Sequence, residues 1–125
     1  MATTHSHYVP VGDGIDLYVE ETGEGRPLVF IPGWTMTTEV FARQVPHFAE
    51  RYRVITYDPR CHGRSTKTVT GVNYPQHGRD LGRLIDTLEL EQPVLAPWSY
   101  GCTKVWELIR QRGTDGLGGV VWIDL

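Results

Sequence analysis

Short runs that are apolar on both faces alternate along this chain with stretches whose apolar residues recur at helical spacing. Pro27-Leu28-Val29-Phe30-Ile31 is apolar throughout, as a strand covered on both sides must be. Tyr52-Arg53-Val54-Ile55-Thr56-Tyr57, Pro93-Val94-Leu95-Ala96 and Val120-Val121-Trp122-Ile123 read as further strands. Between them, Leu81, Leu84, Ile85 and Leu88 follow the i, i+3, i+4, i+7 pattern and predict a helix. Asn73 is its N-cap, Pro75 lies in its first turn, and it runs to about Leu90. Residues 37–51 read as helical with a break or restart at Pro46, which removes a backbone donor. Gly101 to Gln111 reads as a helix with Val105, Leu108 and Ile109 inward. Ahead of these units, Tyr8–Val11 and Ile15–Glu20 flank Gly12-Asp13-Gly14, a hairpin signal, with Ile15, Leu17 and Val19 on one face. A hairpin followed by alternating strands and helices predicts an α/β fold with a mainly parallel sheet and right-handed crossover helices. Chemistry on such a sheet sits beyond the carboxyl ends of its strands, in the loops that begin at Pro32, Asp58, Trp98 and Asp124.

Length and composition narrow the function classes. The 125 residues make one domain without a dividing linker, and a net charge of −3 spread along the chain argues against nucleic acid or an anionic membrane as partner. No apolar run reaches the roughly 18 residues a spanning helix needs. The N-terminus lacks the basic start and apolar stretch of a signal peptide, so a cytoplasmic location is expected. The two cysteines, Cys61 and Cys102, are too few for a disulfide framework and are expected to be reduced thiols. His5 and His7 are expected in a solvated, disordered terminus rather than at a metal.

The loop after Ala96 carries the strongest chemical signal. Pro97-Trp98-Ser99-Tyr100-Gly101 lies between a short strand and a helix, where a tight turn would push the Ser99 hydroxyl into a cleft. The helix N-terminus behind it favours developing negative charge. This segment resembles the G-x-S-x-G nucleophile elbow of the α/β-hydrolase superfamily, with Pro97 replacing the first glycine. Phe30-Ile31-Pro32-Gly33-Trp34 resembles the strand and His-Gly turn that supplies an oxyanion-hole amide, with Pro32 replacing histidine. Asp58-Pro59-Arg60-Cys61-His62-Gly63-Arg64-Ser65 resembles the D-x-R-G-x-G-x-S loop, with Cys61 replacing glycine. Three motifs in the expected order extend the resemblance over nearly the whole chain, as the N-terminal half of the fold with its sixth strand last. The stretch from Tyr52 to Leu95 is most similar to the cofactor-free haloperoxidase and esterase branch.

The resemblance implies Ser99 as nucleophile and the backbone N–H groups of Tyr100 and Trp34 as oxyanion hole, where one lost donor costs about 10²–10³ in rate. It implies small esters or lactones as substrates, perhydrolysis as a variant, and no metal or other cofactor. In the family the acid and then the histidine follow the nucleophile. After Ser99 come Asp115 and Asp124 but no histidine, and Asp124 is the candidate acid because it ends the last strand. His62 lies in a loop at the active end of the sheet but matches a position with no catalytic role. A serine without a base is a poor nucleophile, so the chain alone is expected to be nearly inactive. A truncated gene model, half of a longer enzyme, and a pseudoenzyme binding an apolar ligand or a partner all remain open.

Other residues have plainer expectations. Trp34, Trp98 and Tyr100 either wall an apolar acyl pocket or belong to the core. Asp58 and Arg60 are expected to tie their loop down, and Cys102 to pack under the helix. The last strand would be an exposed apolar edge, which predicts dimerisation or aggregation through it.

Overall fold

The computed structural model describes residues 2–124. The chain forms a six-stranded sheet in the order β1-β2-β4-β3-β5-β6, where β1 is Thr4–Pro10, β2 Asp16–Thr22, β3 Arg26–Ile31, β4 Tyr52–Tyr57, β5 Val94–Pro97 and β6 Gly119–Val120. β1 pairs antiparallel with β2 and β2 antiparallel with β4, whereas β3 is parallel to both β4 and β5, and β5 to β6. This is the hairpin-then-parallel architecture expected from the alternation.

Three layers result. Alternate residues of β3 face opposite ways: Val29 and Ile31 join one cluster, Leu28 and Phe30 the other. The first cluster lies under α2 (Tyr74–Thr87) and α3 (Gly101–Arg112), which contribute Leu81, Leu84, Ile85, Val105 and Leu108. The second is closed by a short 3-10 turn at Thr38–Phe41 and by α1 (Gln44–Phe48), with Phe30 stacked on Phe41 at 4.8 Å. Two short helical pieces stand in place of one helix, but the break expected at Pro46 falls earlier, at Ala42 and Arg43, because Pro46 sits in the first turn of α1 where its missing donor costs nothing. α2 begins as predicted, with the Asn73 side chain accepting from the Gln76 amide. The two long helices approach closely at Gly78, where an added Cβ would stand 2.7 Å from Glu107 Cβ.

Two expectations need correction. His5 and His7 are not in a loose terminus: β1 starts at Thr4, pairs His5 with Glu21 and His7 with Val19, and carries a hydrogen bond between His7 Nε2 and Glu21 Oε2 at 2.6 Å. Polar residues can form this strand because it is an edge strand with one wet face. The last apolar run is only partly a strand. β6 covers Gly119–Val120, after which the Val121 and Ile123 amides still donate to the Leu95 and Pro97 carbonyls. Val121 and Trp122 stay exposed at the sheet edge, Trp122 stacked on Trp106 of α3 at 4.9 Å. Among the described residues no helix is long and apolar enough to cross a membrane.

The loop after β4 is fixed by buried polar groups. Asp58 accepts from the Thr38 amide at 2.9 Å and the Arg64 amide at 2.8 Å, and its own carbonyl accepts from Ser65 Oγ. Arg60 reaches α2 and holds Asp80 through two bonds, Nε to Oδ2 at 2.9 Å and Nη2 to Oδ1 at 3.0 Å. Both residues are buried, so each charge depends on the other. Asp80→Ala is therefore expected to lower the unfolding free energy by about 3–5 kcal/mol. Replacing both partners with apolar residues of similar size should cost much less. Urea denaturation of the single and double variants checks the pair.

Candidate active site

Ser99 stands between β5 and α3 with φ +56°, a left-handed conformation unusual for a residue with a Cβ. Strain of this kind persists only where the surroundings enforce it. Here the Trp98 amide donates to Ile31 O and the Ser99 amide to Ile123 O, each at 3.0 Å, so the turn is clamped between β3 and the chain beyond β6. Gly101 completes the clamp. A Cβ there would run into the Ile31 carbonyl and come within 3.0 Å of Pro32 O, so no larger residue fits. The first small-residue position is less demanding, since Pro97 fits as the last residue of β5.

The Pro32-Gly33-Trp34 turn lies directly against the serine turn. A Cβ on Gly33 would stand 3.0 Å from Trp98 O and 3.3 Å from the Tyr100 amide nitrogen. Among the described residues, neither the Trp34 nor the Tyr100 backbone N–H has an acceptor. Two free amides thus stand on adjacent turns beside a strained serine. Both residues line the same cavity, so a ligand oxygen entering it has two backbone donors within reach of the serine turn.

The aromatic residues divide. The Trp34 and Tyr100 rings meet edge-on at 6.4 Å and are largely exposed at a cavity of about 440 Å³. Trp98 does not line that cavity but packs against Phe41 in the second cluster. Asp124 is exposed beside the turn, with φ +53°. Cys102 is buried beneath it, and burial pushes its thiol pKa up, with a smaller upward contribution from the Asp124 charge. This matches a packing role and not a reactive thiolate.

No histidine hydrogen-bonds to Ser99 among the described residues. His62 is held at both nitrogens: Nδ1 donates to Arg60 O at 2.9 Å, and Nε2 accepts from the Thr35 amide at 3.0 Å. It is a strut between two loops, not a free base. Asp58 and Arg60 are likewise structural, as expected. Cys61 replaces a motif glycine at φ +70°, which explains why the motif favours glycine there; its Sγ bonds to Thr68 O hold the conformation. Among the described residues, no group of three or more His, Cys, Asp or Glu side chains could hold a metal ion.

Two basic residues of the cavity, His77 and Lys104, were not singled out from the sequence. His77 is buried on α2, and burial, reinforced by the Lys104 charge, lowers its pKa to about 4. Lys104 is 2% exposed on α3, donates from Nζ to Pro32 O at 2.9 Å, and has its pKa lowered by burial to about 7. A signal was available for both. His77 is four residues before Leu81, and Lys104 is four before Leu108, so each falls on the apolar stripe of its helix.

A family model described as the alpha/beta hydrolase fold matches residues 26–122, and the chain belongs to that family. It is 31% identical over 110 residues to the non-heme chloroperoxidase CPO-A1 of Kitasatospora aureofaciens, covering 87% of this chain and 40% of that protein. Among solved structures, a bromoperoxidase from Bacillus anthracis superposes with a TM-score of 0.90 at 35% identity, over 94% of this chain and 44% of that one. An esterase from Exiguobacterium antarcticum gives a TM-score of 0.90 at 27% identity, over 94% and 44%. The chain thus spans about 40% of the length of the curated relatives it matches.

The lowered His77 pKa has a measurable consequence. Between about pH 6.5 and pH 4 the unfolded chain binds a proton at this residue that the folded chain refuses, so stability falls as pH falls through that window. Going from pH 7 to pH 5 is expected to cost about 2 kcal/mol through His77 alone. Urea denaturation at both pH values should show His77→Phe losing correspondingly less than the parent.

Proposed function

We propose that this chain carries the nucleophile and oxyanion hole of a serine hydrolase acting on small esters or lactones. The observation that carries the reading is the left-handed Ser99 on a strand-to-helix turn next to two unpaired amides. In this reading Ser99 Oγ attacks the ester carbonyl carbon while its proton passes to a base. The carbonyl oxygen, now an anion, accepts hydrogen bonds from the Trp34 and Tyr100 amides. Collapse expels the alcohol and leaves an acyl group on Ser99. Water then releases the acid, and hydrogen peroxide in place of water would release a peracid. Similarity to haloperoxidases and esterases supports both outcomes. Trp34 and Tyr100 also offer apolar walls to the acyl group. Asp124, which follows the last apolar run, is the candidate acid of this reading, and the two free cysteines suit a cytoplasmic enzyme.

The base is what these residues lack. His62 is committed at both nitrogens, His77 resists protonation, and His7 is paired with Glu21 in the edge strand β1. The 125-residue chain by itself should therefore turn over esters very slowly. Fluorophosphonate labelling and p-nitrophenyl acetate hydrolysis by the chain and its Ser99→Ala variant test the assignment. The expected result is slow labelling confined to Ser99, with turnover near the buffer rate. Labelling that survives Ser99→Ala would overturn it.

The second reading is non-catalytic and rests on the sheet edge. β6 is the last strand, and Val121, Trp122 and Trp106 form an exposed apolar group beside it. An apolar edge recruits other strands. Two copies of the chain are accordingly expected to pair there. Light scattering at tens of micromolar should show a dimer or larger species, and a stable monomer would count against it.

A further inference from the structure

The cavity between α2, α3 and the Pro32 turn holds a group that ester hydrolysis through Ser99 does not use. Lys104 is buried to 2% exposure, and its one hydrogen bond among the described residues is to Pro32 O. An ammonium has three protons, so two are left without a protein acceptor. The nearest buried carboxylate does not take them. Asp80 accepts from Arg60 at both oxygens and from Gln76 Nε2 at 2.8 Å, and it makes no ion pair with Lys104. Among the described residues no carboxylate lines the cavity. The other basic groups there are occupied or neutral: His62 is fixed between Arg60 O and the Thr35 amide, and burial keeps the proton off His77. Lys104 is thus a cation that the Asp80 charge favours only from a distance, with no hydrogen-bonded carboxylate among the described residues, at the floor of an aromatic-walled space.

The walls are equally specific. Trp34 and Tyr100 expose 64% and 56% of their surfaces, although both are large and largely apolar. Tyr74 lies 6.3 Å from Tyr100, ring centre to ring centre, and Val72 and Asn73 complete the rim. A cavity of about 440 Å³ is within the range of small-ligand sites, roughly 300–1,000 Å³. Burying a lysine costs stability unless something takes up its charge. Aromatic walls with one sheltered cation and no anion call for a ligand that is flat, apolar and negative at one end.

We propose that this cavity binds an aromatic carboxylic acid, with the carboxylate on the Lys104 ammonium and the ring against Trp34, Tyr74 and Tyr100. The site goes beyond the hydrolase reading, because it needs neither the Ser99 hydroxyl nor a catalytic base. A carboxylate accepts the two protons that Pro32 O leaves free, and a charged pair in a sheltered pocket is stronger than a neutral one. A neutral amide of the same shape fills the walls equally well but brings no charge to Lys104.

Titration calorimetry with phenylacetate and phenylacetamide separates the two contributions. It is run slightly below neutral pH, where Lys104 holds its proton. Phenylacetate is expected to bind at least about tenfold more tightly than phenylacetamide, the ratio a charge-assisted hydrogen bond supplies. The preference should persist in Ser99→Ala and vanish in Lys104→Met, whose apolar side chain suits a buried position. The comparison of two ligands on the parent chain depends on no variant's folding. Equal affinity, absence of binding by either compound, or a preference that survives Lys104→Met would overturn the proposal. A preference lost in Ser99→Ala would move the carboxylate to the serine turn and overturn it too. Failure of fluorophosphonate to label Ser99 would sink the hydrolase reading and leave this result untouched.

Discussion

The end of β3 is the point on which the rest of the site depends. The Ile31 carbonyl accepts the Trp98 amide, and Gly101 passes so close to it that a side chain there is excluded. One residue further on, Pro32 O receives the buried Lys104 amine, and Gly33 comes against the Tyr100 amide. Three consecutive residues of one strand end therefore fix the serine turn, the neighbouring free amides and the cation of the cavity. The left-handed Ser99 is a result of this crowding. Backbone that must join β5 to a helix starting at Gly101, under the Ile31 carbonyl, has little room for the extended or right-handed alternatives.

Much of this was legible because the relevant patterns are local. The apolar strands and the Leu81, Leu84, Ile85, Leu88 stripe fix the layers, and the order of motifs along the chain locates the turns. What sequence could not convey was which polar residues on those patterns would be buried. Lys104 and His77 stand on apolar stripes, yet a charged or polar residue there usually marks the margin of the stripe rather than its centre. Only the approach of α3 to the Pro32 turn decides that Lys104 goes under. The His5 and His7 strand escaped notice for the opposite reason: its pattern is polar, and β1 exists through pairing with β2 rather than through its own burial. Cys61 shows a third kind of limit. It replaces the motif glycine, yet the residue adopts the glycine conformation and anchors it through sulfur.

Two buried cations, Arg60 and Lys104, illustrate what makes a polar group structural or functional. Arg60 is closed off: its two bonds to Asp80 leave that carboxylate saturated, with Gln76 as third donor. Nothing outside the protein can compete for such a pair, and its value lies in tying the loop after β4 to α2. Lys104 is the contrasting case, with one backbone acceptor and no hydrogen-bonded carboxylate among the described residues, the Asp80 charge favouring its ammonium only from a distance. Burial lowers its pKa because the fold supplies too little to stabilise the charge. A fold would gain by replacing such an amine with an apolar side chain, as it would not gain by breaking the Arg60–Asp80 pair. An unsatisfied cation at the floor of an aromatic cavity is therefore better explained by the ligand it awaits than by the stability it gives.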